Sequence, residues 1–170
     1  MRLAARGLWS WLSVIALLTL HACATHAPAP RAPEALFWSG RLALTIASSP
    51  AQSFSAGFEL KSQAQSGELQ LLSPLGSSLA KLEWSPDQAR LEQGGQVWHD
   101  TSLDALLIRL TGAALPMAAL LDWLQARPTA VEGWSADLSQ IGRGKLGVQS
   151  VPSGTSSAQP QVTLRLILEP

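Results

Sequence analysis

Cys23 is the only thiol in this 170-residue chain. With no second cysteine to pair with, it is either free or consumed by modification. Other groups capable of chemistry are few. His99 stands in "VWHD" between Trp98 and Asp100, which invites a Ser-His-Asp relay. Adjacent strand residues point to opposite faces, however, so Asp100 is badly placed to orient His99. The sequence has no GxSxG elbow, and His99 reads as a surface strand histidine. His26 sits in an Ala/Pro-rich stretch and reads as solvated chain. "GRGKLG", residues 142–147, lacks phosphate-loop spacing and reads as a hairpin turn. No CxxC or HExxH occurs, so no metal site is expected. A glycosidase-type carboxylate pair would have to be assembled through space.

The cysteine closes a distinctive leader. "MRLAARGLWSWLSVIALLTLHAC" sets Arg2 and Arg6 ahead of an apolar stretch from Leu8 to Leu20. A short basic segment before such a run is a secretory signal peptide, and the run is shorter than the roughly 20 apolar residues of a membrane span. "LHAC", Leu20 to Cys23, resembles the lipobox of bacterial lipoproteins, with His21 departing from its usual small residue. The resemblance implies that residues 1–22 are removed and that Cys23 carries diacylglyceryl and acyl lipid. Several chains anchor stably where one is marginal. Ala24, in place of aspartate, then implies the periplasmic leaflet of the outer membrane of a Gram-negative bacterium. "ATHAPAPRAPEA", residues 24–35, reads as an extended tether.

The elements that follow must position whatever the protein holds. Charged residues are 14% and hydrophobic residues 46% of the chain, with zero formal charge. Without the leader, ten basic residues face twelve acidic ones, which is no electrostatic footprint for nucleic acid or an anionic membrane surface. From Trp38 onward the apolar period is two. Trp38, Leu42, Leu44 and Ile46 share one face, as do Phe54, Ala56, Phe58 and Leu60. Leu69 with Leu71, Ala80 with Leu82 and Trp84, and Ala89 with Leu91 continue the pattern between turn signals, and Val97 falls in the next short strand.

The period then switches. Leu103, Leu106, Leu107 and Leu110 fall at helical spacing after Ser102, a natural N-cap, and before Gly112. Met117, Leu120, Leu121 and Leu124 form a second stripe between Pro116 and Pro128. Strand patterns resume in "WSADLSQI", "KLGVQSV" and "QVTLRLILEP", with the polar loop "PSGTSSAQP" before the last. The fold class is mainly β with helices (α+β): one domain, residues 36–170, whose strongly curved or half-closed antiparallel sheet carries two amphipathic helices on its apolar face. One position is anomalous. In "SPLG", residues 73–76, Leu75 occupies a hairpin tip, where polar groups normally enter water. It either folds back into a core or awaits an apolar surface.

"SPLGSSLAKLEW", "SLDALLIRLTGAALPMAALLDWLQARP" and the lipobox together resemble the LolB family of outer-membrane lipoprotein receptors, from Cys23 to about Leu146. The resemblance implies an unclosed β-barrel covered by helices, with an apolar cavity for lipoprotein acyl chains. It implies a receptor, not an enzyme, that accepts acylated lipoproteins from the soluble periplasmic carrier LolA. It would insert them into outer-membrane phospholipid without a nucleotide or a cofactor, acting as a monomer. By motif match, Leu75 becomes the membrane-inserting residue. Trp38, Leu42, Leu44, Phe54, Phe58, Leu71, Leu82, Leu103, Leu107, Leu121 and Leu124 become candidate cavity lining. On residue pattern alone these positions line a cavity or fill a core equally well. Two other readings stay open: a lipid-anchored scaffold or sensor with no cargo transfer, and a lipid hydrolase, which needs a nucleophile beside a base.

Overall fold

Among the described residues, period-two alternation becomes nine strands in one antiparallel sheet. The computed structural model describes residues 34–111, 115–151 and 160–170. The expected signal peptide, Cys23, most of the expected tether, Gly112 and nearly all of the "PSGTSSAQP" loop lie outside the described residues. The strands are β1 (Leu36–Ala47), β2 (Gln52–Gln63), β3 (Ser66–Leu72), β4 (Ser78–Ser85), β5 (Gln88–Gln93) and β6 (Gln96–Asp100), then β7 (Trp134–Asp137), β8 (Lys145–Ser150) and β9 (Gln161–Leu168). Helices α1 (Leu103–Thr111) and α2 (Met117–Leu124) stand between β6 and β7, and a 3₁₀ turn at Ile141–Arg143 leads into β8.

The sheet order is β6-β5-β4-β3-β2-β1-β9-β8-β7. The last strand returns beside the first, with Leu42 opposite Leu166. The two edges, β6 and β7, do not pair, so the barrel stays unclosed. The chain between those edges is the helical segment, and α1 packs on β5 and β6. The register places the β1–β2, β3–β4 and β5–β6 turns at one end of the sheet. The start of β1 and the β2–β3 and β4–β5 turns lie at the other.

Alternation sorts the faces. Leu42, Phe58, Leu60, Leu82, Trp84, Leu146, Val148 and Leu166 are buried on the concave side. In β6 the inward residue is Trp98, which packs on the core, while Val97 is exposed. In α1, Ser102 Oγ accepts the Ala105 N–H at 3.1 Å, and Asp104 and Arg109 sit at the helix ends that suit their charges. Leu106 and Leu107 are buried. Helix α2 buries Met117, Ala119, Trp123 and Leu124.

The end of α2 departs from expectation. Pro128 does not set it; the helix stops at Leu124 and Ala126 turns left-handed at φ 59°. The Asp122 carboxylate holds the reversed chain, accepting hydrogen bonds from Thr129 Oγ1 at 2.7 Å and Arg127 Nε at 3.0 Å. The Thr129 hydroxyl, followed by the Arg127 guanidinium, keeps the Asp122 pKa below the ordinary carboxylate value.

A depressed folded-state pKa means that the unfolded chain binds more protons, so stability rises with pH. The contribution is fully present above about pH 4, the unfolded carboxylate value. It is lost as pH falls through the lower folded value. Asp122→Asn should therefore lower the urea midpoint at neutral pH, and the gap to wild type should close on acidification. A gap that stays constant into strong acid would show that the Asp122 charge is idle.

Candidate functional site

Opposite the helices, the concave face does not fill. A cavity of about 230 Å³ remains between sheet and helical layer. Leu42 and Leu44 of β1, Phe54, Phe58 and Leu60 of β2, and Leu69 and Leu71 of β3 line it. So do Ala80 and Leu82 of β4, Leu91 and Gln93 of β5, Val148 of β8, and Leu164 and Leu166 of β9. Trp134 of β7 stands at one side, and Leu107, Leu115, Pro116, Met117, Leu120, Trp123 and Leu124 form the helical wall. Each strand contributes every second residue because only that set points inward.

The wall contains no Asp, Glu, Lys, Arg or His. Gln93 is its one amide side chain, and the Trp123 indole N–H is already donated to the Thr129 carbonyl at 2.9 Å. Such a wall has no group that could shuttle a proton and, apart from the Gln93 amide at the solvent-reaching end, none to hold a polar group. It can shelter apolar matter, as dry cavities of on the order of 150 Å³ do. Phe54, at 37% exposure, and Gln93 are lining residues that also reach solvent. Both lie at the sheet end that carries the β1–β2, β3–β4 and β5–β6 turns.

Leu75 stands at that same end and is 94% exposed. The turn that carries it is internally bonded. Ser73 accepts the Gly76 N–H at its carbonyl (2.9 Å), and its own N–H reaches the Ser77 carbonyl (2.8 Å). Ser73 Oγ accepts the N–H groups of Leu75 and Ser77 at 3.3 and 3.1 Å. Pro74 has no N–H, and Gly76 supplies the positive φ of 80°. No N–H from Ser73 to Ser77 is left for water, so the tip presents a leucine without unsatisfied donors.

Of the candidate residues, the structure brings Leu42, Leu44, Phe54, Phe58, Leu71, Leu82, Leu107 and Leu124 around the cavity. It places Trp38, Leu103 and Leu121 elsewhere. Trp38 packs against the core near the far end of β1, outside the cavity wall. Leu103 and Leu121 flank Trp84 in a separate groove by the β2–β3 and β4–β5 turns. Periodicity tells which face a residue takes, not how far along the barrel it lies. Trp123 and Trp134 were outside the candidate set. Trp123 lies beside the counted stripe of α2, and alternation with Ala136 could have revealed Trp134.

His99 is exposed, and Asp100 pairs instead with Arg109 at 3.4 Å, whose Nη2 donates to the His99 carbonyl. No relay forms there. Residues 142–147 do lie in the β7–β8 connection and the start of β8.

The family model described as outer membrane lipoprotein LolB matches residues 36–159, which extends the likeness beyond Leu146. Several relatives carry the name outer-membrane lipoprotein LolB. That of Bordetella petrii is 31% identical over 171 residues, covering 86% of this chain and 86% of the relative. That of Thiobacillus denitrificans is 35% identical over 141 residues, covering 78% and 74%. That of Cupriavidus pinatubonensis is 30% identical over 162 residues, covering 85% and 78%.

Ala80 is buried and its side chain borders empty space. Ala80→Leu should fill part of the cavity without the roughly 1–3 kcal/mol cost of overpacking a solid core. Affinity for a fluorescent long-chain fatty acid should fall about tenfold, or roughly 1.4 kcal/mol. Loss of stability with unchanged binding would mean that the space is not the binding site.

Proposed function

This chain belongs to the LolB family of outer membrane lipoproteins, and from that premise we propose that it receives acylated lipoproteins from a LolA-type periplasmic carrier and inserts them into the outer membrane. The chain is a component of outer-membrane lipoprotein localisation. In the proposal it is a receptor and transfer chaperone rather than an enzyme. It needs no nucleotide hydrolysis, because each step exchanges one apolar shelter for another.

The observation that carries the reading is the cavity wall, apolar but for Gln93 and free of ionisable groups. Burying an acyl chain is worth about 0.8 kcal/mol per methylene. Release of cargo into water is thereby excluded as an intermediate, and delivery must be direct. The cavity's solvent-reaching residues and Leu75 share one end of the sheet. That arrangement suits a site which takes cargo at its mouth and passes it to lipid beside the same turn. The self-bonded backbone of the turn lowers the cost of entering lipid, where each orphan N–H is expensive.

The same proposal includes the anchor. Residues 1–22 act as the signal peptide, and Cys23 is acylated. Residues 24–35 tether the monomeric domain to the periplasmic leaflet. Cys23→Ala should abolish incorporation of a palmitate analogue and leave an uncleaved or mislocalised protein with a folded domain. Label retained by the Cys23→Ala protein would remove the lipoprotein anchor.

Leu75→Glu separates the two halves of delivery. The fold should survive, because an exposed turn side chain contributes little to stability. Cargo should still pass from the carrier to the protein, because the cavity is untouched. Incorporation of cargo into liposomes should fail, since an unpaired charge would have to leave water. Normal incorporation would sink the membrane-inserting role of Leu75, and joint loss of both steps would point to a structural one.

A further inference from the structure

The cavity stops one row of side chains short of the end of the sheet opposite Leu75. Its last inward row there is Leu60, Leu69, Leu82 and Leu91. The next inward row is Ser62, Gly67, Trp84 and Ala89, about 7 Å further along the strands. Three of those four side chains are small, and the Trp84 indole lies over the bare backbone of Gly67, where a Cβ would collide with the ring. Beside it a second space remains. It is a groove of about 290 Å³, walled by Trp84, Pro86, Leu103, Met117, Ala118 and Leu121. Gln65 and Asp104 stand at its rim and are exposed, and the Ser102 hydroxyl there is engaged by the Ala105 N–H.

One residue belongs to both spaces. Met117 is buried and lines the cavity on one side and the groove on the other. Helix α2 turns Leu120 and Leu124 to the cavity, and Ala118 and Leu121 to the groove. The partition is thus a single unbranched side chain with three rotatable bonds, the type that repacks most readily around a guest.

Length gives the groove an occupant. A cavity of on the order of 150 Å³ takes a benzene ring. By proportion the 230 Å³ here shelters roughly nine carbons of one acyl chain, and a palmitoyl chain is longer. Its polar head stays at the mouth, because the wall beyond Gln93 offers no polar side chain to receive it. Its methyl end therefore points at Met117.

We propose that the groove is a second acyl-chain subsite, reached past Met117, which takes the methyl end of a long cargo chain. This inference rests on the reading of the cavity as a shelter for acyl chains; it adds where the remainder of the chain lies.

The full lipidated protein, on phosphatidylcholine vesicles, is offered palmitate or octanoate carrying a diazirine at the methyl end. After irradiation, adducts are mapped by mass spectrometry. Octanoate should mark the cavity, at Leu60 and Leu82. Palmitate should mark the groove, at Leu103, Ala118 and Leu121. A methylene half-sheltered in an open groove favours binding about twofold. Ala118 is exposed and outside the cavity wall, so Ala118→Phe should fill the groove without unfolding the domain. It should lower palmitate adducts at Leu103 and Leu121 about tenfold, the weight of three or four such methylenes. Octanoate adducts and the urea midpoint should stay unchanged.

Palmitate adducts confined to the cavity and its mouth overturn the second subsite and leave the cavity as the acyl shelter. Equal groove labelling by both chain lengths overturns the passage past Met117, because octanoate would have entered from outside. Groove labelling that Ala118→Phe leaves intact overturns the subsite as well. Absence of octanoate adducts from the cavity overturns the acyl-chain reading of the cavity, and this inference with it.

Discussion

The rest of the structure depends on a sheet whose two edges never meet. Strands β6 and β7 end the order without pairing, so the concave apolar face cannot be sealed by hydrogen bonds in the way a closed barrel is. It must be covered by the chain that links those edges, and that chain is α1 and α2. The two helices are 9 and 8 residues long. They bury leucines and Trp123 against the strands, yet leave an apolar volume open. A protein interior normally packs to crystal density. An unfilled space lined almost wholly by aliphatic and aromatic side chains therefore suits an apolar guest.

Three regions then divide the work by polarity. The inside is free of ionisable groups, as the proposed shelter for acyl chains requires. The β3–β4 turn is stiffened by Ser73, which bonds the backbone N–H groups around Leu75 and leaves its side chain outermost. The outer face of β2 to β5 carries a run of ion pairs, Lys81 with Glu68 and Arg90 with Glu83 among them, and surface pairs of this kind contribute little to stability.

Much of this was legible in the sequence. Alternation assigned the inward set of each long strand, and 3.6-residue spacing located both helices, because face selection depends on local geometry. Position along the barrel was not legible, since it depends on register and on how helices lie across strands. Trp38, Leu103 and Leu121 shared the right faces and still missed the cavity. Cavity and solid core also demand the same residue types, so only the packed arrangement separates Leu82 as lining from Leu82 as filler. In β6, Trp98 rather than Val97 faces inward, and a five-residue strand with one large aromatic is too short for its phase to be fixed by counting.

The central claim is that cargo acyl chains occupy the space between sheet and helices. A photo-crosslinking amino acid placed at Leu82, on the inner wall, and separately at Val97, on the outer face, tests it directly. Each variant would be mixed with carrier-bound acylated lipoprotein and irradiated. The account predicts adducts to the acyl chain from position 82 and none from position 97. Adducts from position 97 with none from position 82 would contradict it.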